Sequence, residues 1–451
     1  MWLSVACVFI LLGGSLHKLW NARQWNDGKR TGSRKKGRLC AVLCIGLSLS
    51  LGACNSDPVE QTVYEMEQTA YGGEYPESEG IDTKEPDGED SDNMSVENLQ
   101  AETSQADNSQ ESTPKEEVGE TEEVVDTSFD FTIDFAGDIN FDANVSVTKH
   151  MDTKENGILD CISPELVEEM NRADLMCLNN EFTYSGRGEK LVGKKYCFRA
   201  RPDRVENLKL LGVDIVKLAN NHVYDYGKDA FLDTLEVLKG ADIAYMGAGA
   251  NLEEATTPVY REIQGKTVAF VAASRGEKNI FTPQATEDSP GILRCYDPSF
   301  FLEVIKEARE NADIVLAYVH WGTEYSTVLE EAQIETAKLY LDAGADAIIG
   351  AHTHCLQGME YYDGKPIFYS LGNFWFNNKT LDTMLLQLHF IGDDDGFQIV
   401  PKIFPAVQSG CETILAEGEE RERIFQALEE ISIGVQIDEE GIVYPVEAGV
   451  E

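Results

Sequence analysis

From Phe129 onward the chain alternates between two textures, and this alternation limits its fold more than any other feature. Short apolar runs rich in β-branched residues are separated by segments whose apolar positions recur at helical spacing. The strand-like runs are "FTIDFAG" (131–137), "LMCLN" (175–179), "DIVKLA" (214–219), "IAYMG" (243–247), "TVAFVAA" (267–273), "DIVLAYV" (313–319), "DAIIGA" (346–351) and "PIFYSLG" (366–372). Helical patterns fall at 163–172, 202–211, 228–239, 298–311 and 329–343. Strands alternating with helices predict a layered α/β domain. Beyond them, "MLLQLHF" (384–390) and "FQIVPKIF" (397–404) read as a closing hairpin over "GDDDG", and a last helix is expected at 417–431. No internal repeat is evident.

The residues that follow the strands carry the chemistry. The first run ends in Asp138, the second leads to Asn180 and Glu181, and the third to Asn220, Asn221 and His222. "DIVLAYV" is followed by His320, "DAIIGA" by His352 and His354, and "PIFYSLG" by Asn373. Ligand sites in α/β sheets form beyond the carboxyl ends of strands. Each position alone also suits a turn residue, a helix cap or a packed core histidine. Six strands delivering such groups to one edge point instead to a shared site, and four of the seven histidines lie there. Carboxylate, amide and imidazole together suit a hard or borderline dication such as Mn²⁺, Zn²⁺ or Fe²⁺. Two such ions would clamp a phosphoryl centre. His222, beside Asn221, is placed to protonate a leaving group.

Charge is spread unevenly along the 451 residues, which carry 37 basic and 80 acidic side chains. Residues 1–54 hold eight Lys/Arg and one Asp; residues 55–127 hold 23 Asp/Glu and two Lys. The remaining stretch, 128–451, has 27 basic and 56 acidic residues, a net charge of −29 that repels polyanions and argues against nucleic acid as a partner. An apolar stretch at 2–14, a basic run "KRTGSRKKGR", a second apolar stretch at 39–51 and "LGAC" at 51–54 describe an export signal. "LGAC" resembles a bacterial lipobox, which would make Cys54 the lipidated first residue of a protein tethered to the extracytoplasmic face of the cell membrane. Residues 1–28 read as an over-extended start or a second anchor. The acidic segment 55–127 has too few large apolar residues to offset its ordering entropy and is expected to be a disordered tether. Six cysteines (Cys161, Cys177, Cys197, Cys295, Cys355, Cys411) fall in the folded part without a CxxC pair and are expected to be mostly buried thiols.

Taken in order, "FAGDIN", "LNNEF", "LANNHVYDYG", "HWGTEY" and "GAHTHCLQGMEYYDGKPIFYSLGNFWF" resemble the CapA family of capsule-synthesis proteins, over about 128–405. That family includes poly-γ-glutamate accessory proteins and is similar to the calcineurin-like metallophosphoesterases. The resemblance implies a four-layer α-β-β-α sandwich of metallophosphoesterase type, with two mixed β-sheets and one or two divalent metal ions at the strand ends. It also implies that Asp138, Glu181, Asn221, His320, His352 and His354 are metal ligands and that His222 is the proton donor. Phosphoesterases carry Asp-x-His on the first strand, whereas this chain has Asp138-Ile139-Asn140, which weakens one metal position. The expected role is in making, exporting or anchoring an anionic capsule polymer such as poly-γ-glutamate, alongside membrane synthase proteins. The alternatives are a non-catalytic polymer-binding or synthase-organising protein and a general phosphodiesterase.

One basic stretch stands outside this resemblance. "GRGEKLVGKKYCFRARPDR" (186–204) holds seven Lys/Arg against two acids. It reads either as a solvated loop or as an anion clamp over the metal edge. In the second reading Lys194, Lys195 and Arg199, with Asn373, contact the substrate.

Overall fold

The computed structural model describes residues 127–276 and 281–446. The export segment, Cys54 and most of the acidic stretch lie outside the described residues. Among the described residues, fourteen strands form two main sheets. In chain order they are β1 (Phe129–Ile139), β2 (Leu175–Asn180), β3 (Ile215–Lys217), β4 (Ala244–Met246), β5 (Val259–Ile263), β6 (Lys266–Ser274) and β7 (Ile314–His320). Then follow β8 (Ala347–Ala351), β9 (Met359–Tyr362), β10 (Lys365–Phe368), β11 (Asn373–Trp375), β12 (Leu381–Asp393), β13 (Gly396–Ser409) and β14 (Glu412–Leu415). The first sheet runs β14-β13-β12-β1-β2-β3-β4, with β11 also pairing with β1; the second runs β9-β10-β8-β7-β6-β5.

Both sheets are parallel in the middle and antiparallel at the margins. β1, β2, β3 and β4 are parallel neighbours, as are β6, β7, β8 and β10. The central strands therefore end at one edge. The expected hairpin is present: β12 and β13 pair from Leu381↔Gln408 to Asp393↔Gly396, turning at Asp394 and Asp395.

Side-chain alternation decides the layers. Phe131, Ile133 and Phe135 of β1 face Phe270 of β6 and Leu316 and Tyr318 of β7 in a core between the sheets. The Phe135 and Tyr318 rings meet edge to face at 5.9 Å, and Tyr318 Oη donates to the Ala136 carbonyl at 2.7 Å, so one side chain ties the two sheets together. On the outer face of the first sheet, α1 (Pro164–Arg172) and α2 (Gly227–Gly240) bury Leu166, Met170, Phe231 and Leu235. On the outer face of the second, α3 (Ser299–Asn311) and α4 (Glu331–Asp342) bury Phe301, Ile305 and Tyr340. The result is the four-layer α-β-β-α sandwich. The helix expected at 202–211 is a 3₁₀ turn, Pro202–Val205, running into a short helix, Glu206–Leu210.

One strand differs from expectation in a way that shapes the site. "PIFYSLG" does not remain in the second sheet to its end. β10 stops at Phe368, the chain turns through Gly372 (φ +69°), and Asn373 joins the first sheet opposite Asp138. The crossing is tight: Asp138 N donates to Gly372 O at 2.9 Å, and a Cβ on Gly137 would lie 1.9 Å from that same oxygen. Glycine at 137 lets the two chains touch. Among the described residues no helix is long and apolar enough to cross a membrane, and the six cysteines are free, all buried except the half-buried Cys355.

A buried acid on β1 gives a stability prediction. Asp134 is fully buried, with Oδ1 accepting from Gln387 Nε2 at 3.1 Å and Oδ2 without a partner. Burial pushes its carboxyl up to about 7. Because the folded state favours the protonated acid, the penalty is absent below pH 4 and grows as pH rises to 7. Asp134→Asn keeps the shape and the acceptor oxygen while removing the charge. It should stabilise the fold by roughly 2–4 kcal/mol at pH 8 and by almost nothing near pH 4. Denaturant unfolding of the two proteins at both pH values reads this difference.

Candidate metal centre

The parallel strand ends bring the predicted residues to one place. Asp138 closes β1, Glu181 follows β2, Asn221 and His222 follow β3, His320 closes β7, and His352 and His354 follow β8. All are buried, the most exposed being His222 and His352 at 5%. Two sets of ligand atoms converge to within 4.8 Å: Asp138, Glu181 and His354 form one, and Glu181, His320 and His352 the other. Glu181 belongs to both.

Hydrogen bonds hold the set in register. Asn179 Nδ2 donates to Asp138 Oδ1 (2.6 Å) and to Glu181 Oε2 (2.9 Å), fixing the two carboxylates relative to each other. Asp138 Oδ2 lies 3.0 Å from His354 Nδ1, whose hydrogen bond goes to Asn373 Oδ1 at 2.8 Å. His320 Nε2 meets Asn221 Oδ1 at 2.9 Å, and its Nδ1 meets Lys217 Nζ at 2.8 Å. Asn220 braces the neighbouring turn by accepting from the backbone N–H of His222 and Val223 at 3.0 Å each.

The "HTH" segment is strained. His352 and His354 have φ of +101° and +58°, which costs a side-chain-bearing residue on the order of 1–3 kcal/mol. Thr353 between them supplies the restraint: its Oγ1 bonds Cys355 O (2.7 Å) and Ser370 Oγ (2.8 Å), and its carbonyl accepts from Tyr325 N (2.6 Å).

The residues fit a divalent cation. Glu181 Oε1 and His352 Nδ1 are buried without any hydrogen-bond partner, a costly state for acceptors unless a cation receives them. Burial, and then the nearby Asp138 charge, push the Glu181 carboxyl well above its ordinary range. Burial also opposes ionisation of Asp138, but His354 and Lys217 outweigh it and hold that carboxyl low. Burial holds His352 at about 4 and His320 well below the ordinary histidine value, so both rings are neutral. His354 goes the other way: burial is outweighed by the Glu181 and Asp138 charges, which raise it to about 10. A cation held here would need that nitrogen unprotonated.

A family model described as bacterial capsule synthesis protein PGA_cap matches residues 132–378, more than half of the chain. The chain belongs to this family. It is 34% identical over 236 residues to the capsule biosynthesis protein CapA of Bacillus anthracis, covering 51% of this chain and 56% of that protein. It is 35% identical over 227 residues to the PGA biosynthesis protein CapA of Bacillus subtilis strain 168, covering 49% and 59%. The matches thus span less than two thirds of the length of these relatives. Among solved structures, a hypothetical protein from Thermus thermophilus gives a TM-score of 0.37 at 18% identity over 61% of this chain and 98% of that one. The NAD nucleotidase of Haemophilus influenzae gives 0.34 at 12% over 68% and 57%.

Within this family member the remaining predicted residues are placed as follows. Asn140 accepts from Asp142 N at Oδ1 (2.8 Å), and its Nδ2 is buried without a hydrogen-bond partner. Lys194, expected to face a substrate, is turned inward: its side chain is 3% exposed, Nζ lies 2.8 Å from Asp225 Oδ1, and it also reaches the Asn221 carbonyl. Arg199 stacks on Tyr226 at 4.1 Å and donates to the Arg187 and Gly188 carbonyls at 3.0 and 3.1 Å. Lys195 is exposed, with its ammonium 4.9 Å from the Tyr196 ring. Of the basic loop's named cations, Lys195 therefore faces solvent, while Lys194 and Arg199 organise the loop itself.

Two residues of the site escaped the sequence reading. Lys217 is a fully buried lysine; the signal was a lysine inside the apolar run "DIVKLA". Burial draws its ammonium down to about 7, against the pull of Asp138 and Glu181. Asp225 lies three residues after His222 in "NNHVYD" and binds its Nδ1 at 2.7 Å, leaving Nε2 to give or take a proton. Asp225 also accepts from Phe198 N at 2.8 Å. One buried carboxylate thus orients His222, pairs with Lys194 and anchors the loop. Asp225→Ala should cost about 3–5 kcal/mol, because it removes the buried carboxylate that Lys194, His222 and the Phe198 N–H share. Replacing both partners, Lys194→Met with Asp225→Leu, should recover most of that loss in denaturant unfolding.

Proposed function

We propose that this chain works at the extracytoplasmic face of the cell membrane, tethered through a lipidated Cys54, in the assembly, export or anchoring of an anionic capsule polymer such as poly-γ-glutamate. Its centre is metal-dependent and hydrolase-like, acting on a phosphoester or related bond. The observation that carries this reading is the pair of ligand sets sharing Glu181, with Glu181 Oε1 and His352 Nδ1 buried and without hydrogen-bond partners. Membership of the capsule-synthesis family supports the polymer, and the relatives named for capsule and PGA biosynthesis supply its class.

A bound divalent ion supplies Lewis-acid polarisation of the scissile group. The chain's own residues do the rest. Asp138, Glu181, His352 and His354, with His320 and Asn221, are the groups available to hold it. His222, oriented by Asp225, carries a proton at Nε2 for the leaving group. Lys195, exposed in the basic loop, is the cation of that loop that an incoming polyanion would meet in a domain of net negative charge. A second reading, a polymer-binding accessory protein without turnover, is favoured by one observation: Asn140, its Oδ1 turned to Asp142 N, stands where phosphoesterases place a ligand histidine.

The full-length chain purified in detergent, with its metal content measured and a chromogenic phosphodiester as substrate, separates the two. Turnover that falls about 10²–10⁴-fold in His222→Ala while metal is retained supports the hydrolase. Metal without turnover favours the accessory role, and a metal-free protein would sink the ligand assignment itself. Cys54→Ala should move the protein from the membrane to the soluble fraction; unchanged membrane association removes the lipid tether.

A further inference from the structure

Two aromatic rings without a part in the chemistry above lie against His354: Phe376 at 4.6 Å and Tyr325 at 5.6 Å, centroid to centroid. Phe376 is buried, whereas Tyr325 is 44% exposed beside a site whose other groups are withdrawn from water. The Tyr325 backbone stands at φ +57°, and its N–H donates to the Thr353 carbonyl at 2.6 Å. A residue with a side chain persists in that conformation only where its surroundings fix it. The ring is therefore a held surface, open on one side.

Lys379 stands over this ring, with Nζ 3.8 Å from its centroid. The residue is exposed, and among the described residues its ammonium forms no ion pair. Acids outnumber bases 56 to 27 in residues 128–451, so carboxylates are plentiful and this cation is nevertheless kept on a π-face. An ammonium has three donors and needs none of them for the ring face, which leaves them for an incoming anion.

The position of Lys379 is built from inside the fold. Gln408 is wholly buried, yet its amide serves the loop between β11 and β12. Its Oε1 accepts from Phe376 N (2.8 Å) and Asn377 N (3.2 Å), and its Nε2 donates to Asn377 Oδ1 (3.0 Å) and Lys379 O (3.1 Å). Lys379 N donates in turn to Asn377 Oδ1 at 3.0 Å. The loop backbone is thus ordered before any ligand arrives, which lowers the cost of binding one. One short loop sets Phe376 against His354 and Lys379 over Tyr325.

We propose that Lys379 and Tyr325 form an anion subsite beside the strand-end centre, which takes an oxyanion, carboxylate or phosphate, from the repeat next to the one held at the centre. The proposal rests on the polymer reading above and deepens it: the site selects a chain charged on successive repeats over one with a single anionic group. Lys379 sets specificity, and Gln408 is a positioning residue that acts through the loop.

The test is fluorescence anisotropy on the full-length protein in detergent with three labelled probes: a γ-linked glutamate hexamer, the same hexamer with its α-carboxylates amidated, and a glycerol-phosphate hexamer. Lys379→Gln should weaken binding of the acidic hexamers by about 3–10-fold at low salt and leave the amidated one unchanged. Lys379→Arg should stay within about twofold of wild type, because a guanidinium also stacks on tyrosine. Lys306→Gln removes an equal charge from the exposed side of α3 and should have no effect, which separates local from overall charge. A loss confined to one acidic hexamer supports the subsite and assigns its oxyanion to carboxylate or to phosphate. Acidic hexamers bound equally by wild type and Lys379→Gln would overturn the subsite and leave the polymer reading intact, as would an equal loss for the amidated probe. A wild type that binds neither acidic hexamer removes the polymer reading and the subsite with it.

Discussion

Two carboxylates, Asp138 and Glu181, are removed from water at one sheet edge, and the surrounding structure serves to make that tolerable. An isolated buried carboxylate would simply take up a proton. Here Asn179 bridges both acids, His354 pairs with one of them, and Lys217 adds a cation behind His320. Even so, Glu181 keeps an oxygen without a hydrogen-bond partner. That oxygen is the acceptor the surrounding hydrogen bonds leave over, and it is the place where a divalent cation would fit.

The architecture that brings these groups together depends on one close backbone crossing. β1 belongs to the first sheet, while the segment after β10 leaves the second sheet to pair beside it. Gly137 and Gly372 allow the chains to approach, so Asn373 comes opposite Asp138 and meets His354. Tyr318 performs the matching task inside the core, where its hydroxyl reaches Ala136 from the opposite sheet. Both sheets therefore contribute candidate ligands to one site, with little freedom to slide past each other. The strained His352 and His354 backbones are carried by this rigid frame through Thr353.

Much of this was legible in the residues. Parallel strands such as "DIVLAYV" are buried on both faces and so read as continuous apolar runs, and the Asp, Glu, Asn and His that end them were visible as breaks in that pattern. The roles of the cations were not legible. Lys194 and Arg199 looked like a clamp for an external anion because sequence shows charge without showing direction. The fold turns Lys194 onto Asp225 and Arg199 onto Tyr226 and two carbonyls. Lys217 was hidden for the opposite reason: one lysine among apolar neighbours carries no spacing that marks it as part of a site.

By itself the sequence determined the alternation of strands and helices, the carboxyl-end placement of the candidate ligands and the family to which the chain belongs, because these follow from local periodicity and from motifs a few residues long. Only the tertiary structure decided which polar atoms are left unsatisfied, which sheet Asn373 joins and what stands behind His320. Those are matters of contact between residues such as Lys217 and His320, 103 positions apart, and local pattern cannot specify a distance between elements that meet only when the sheets close.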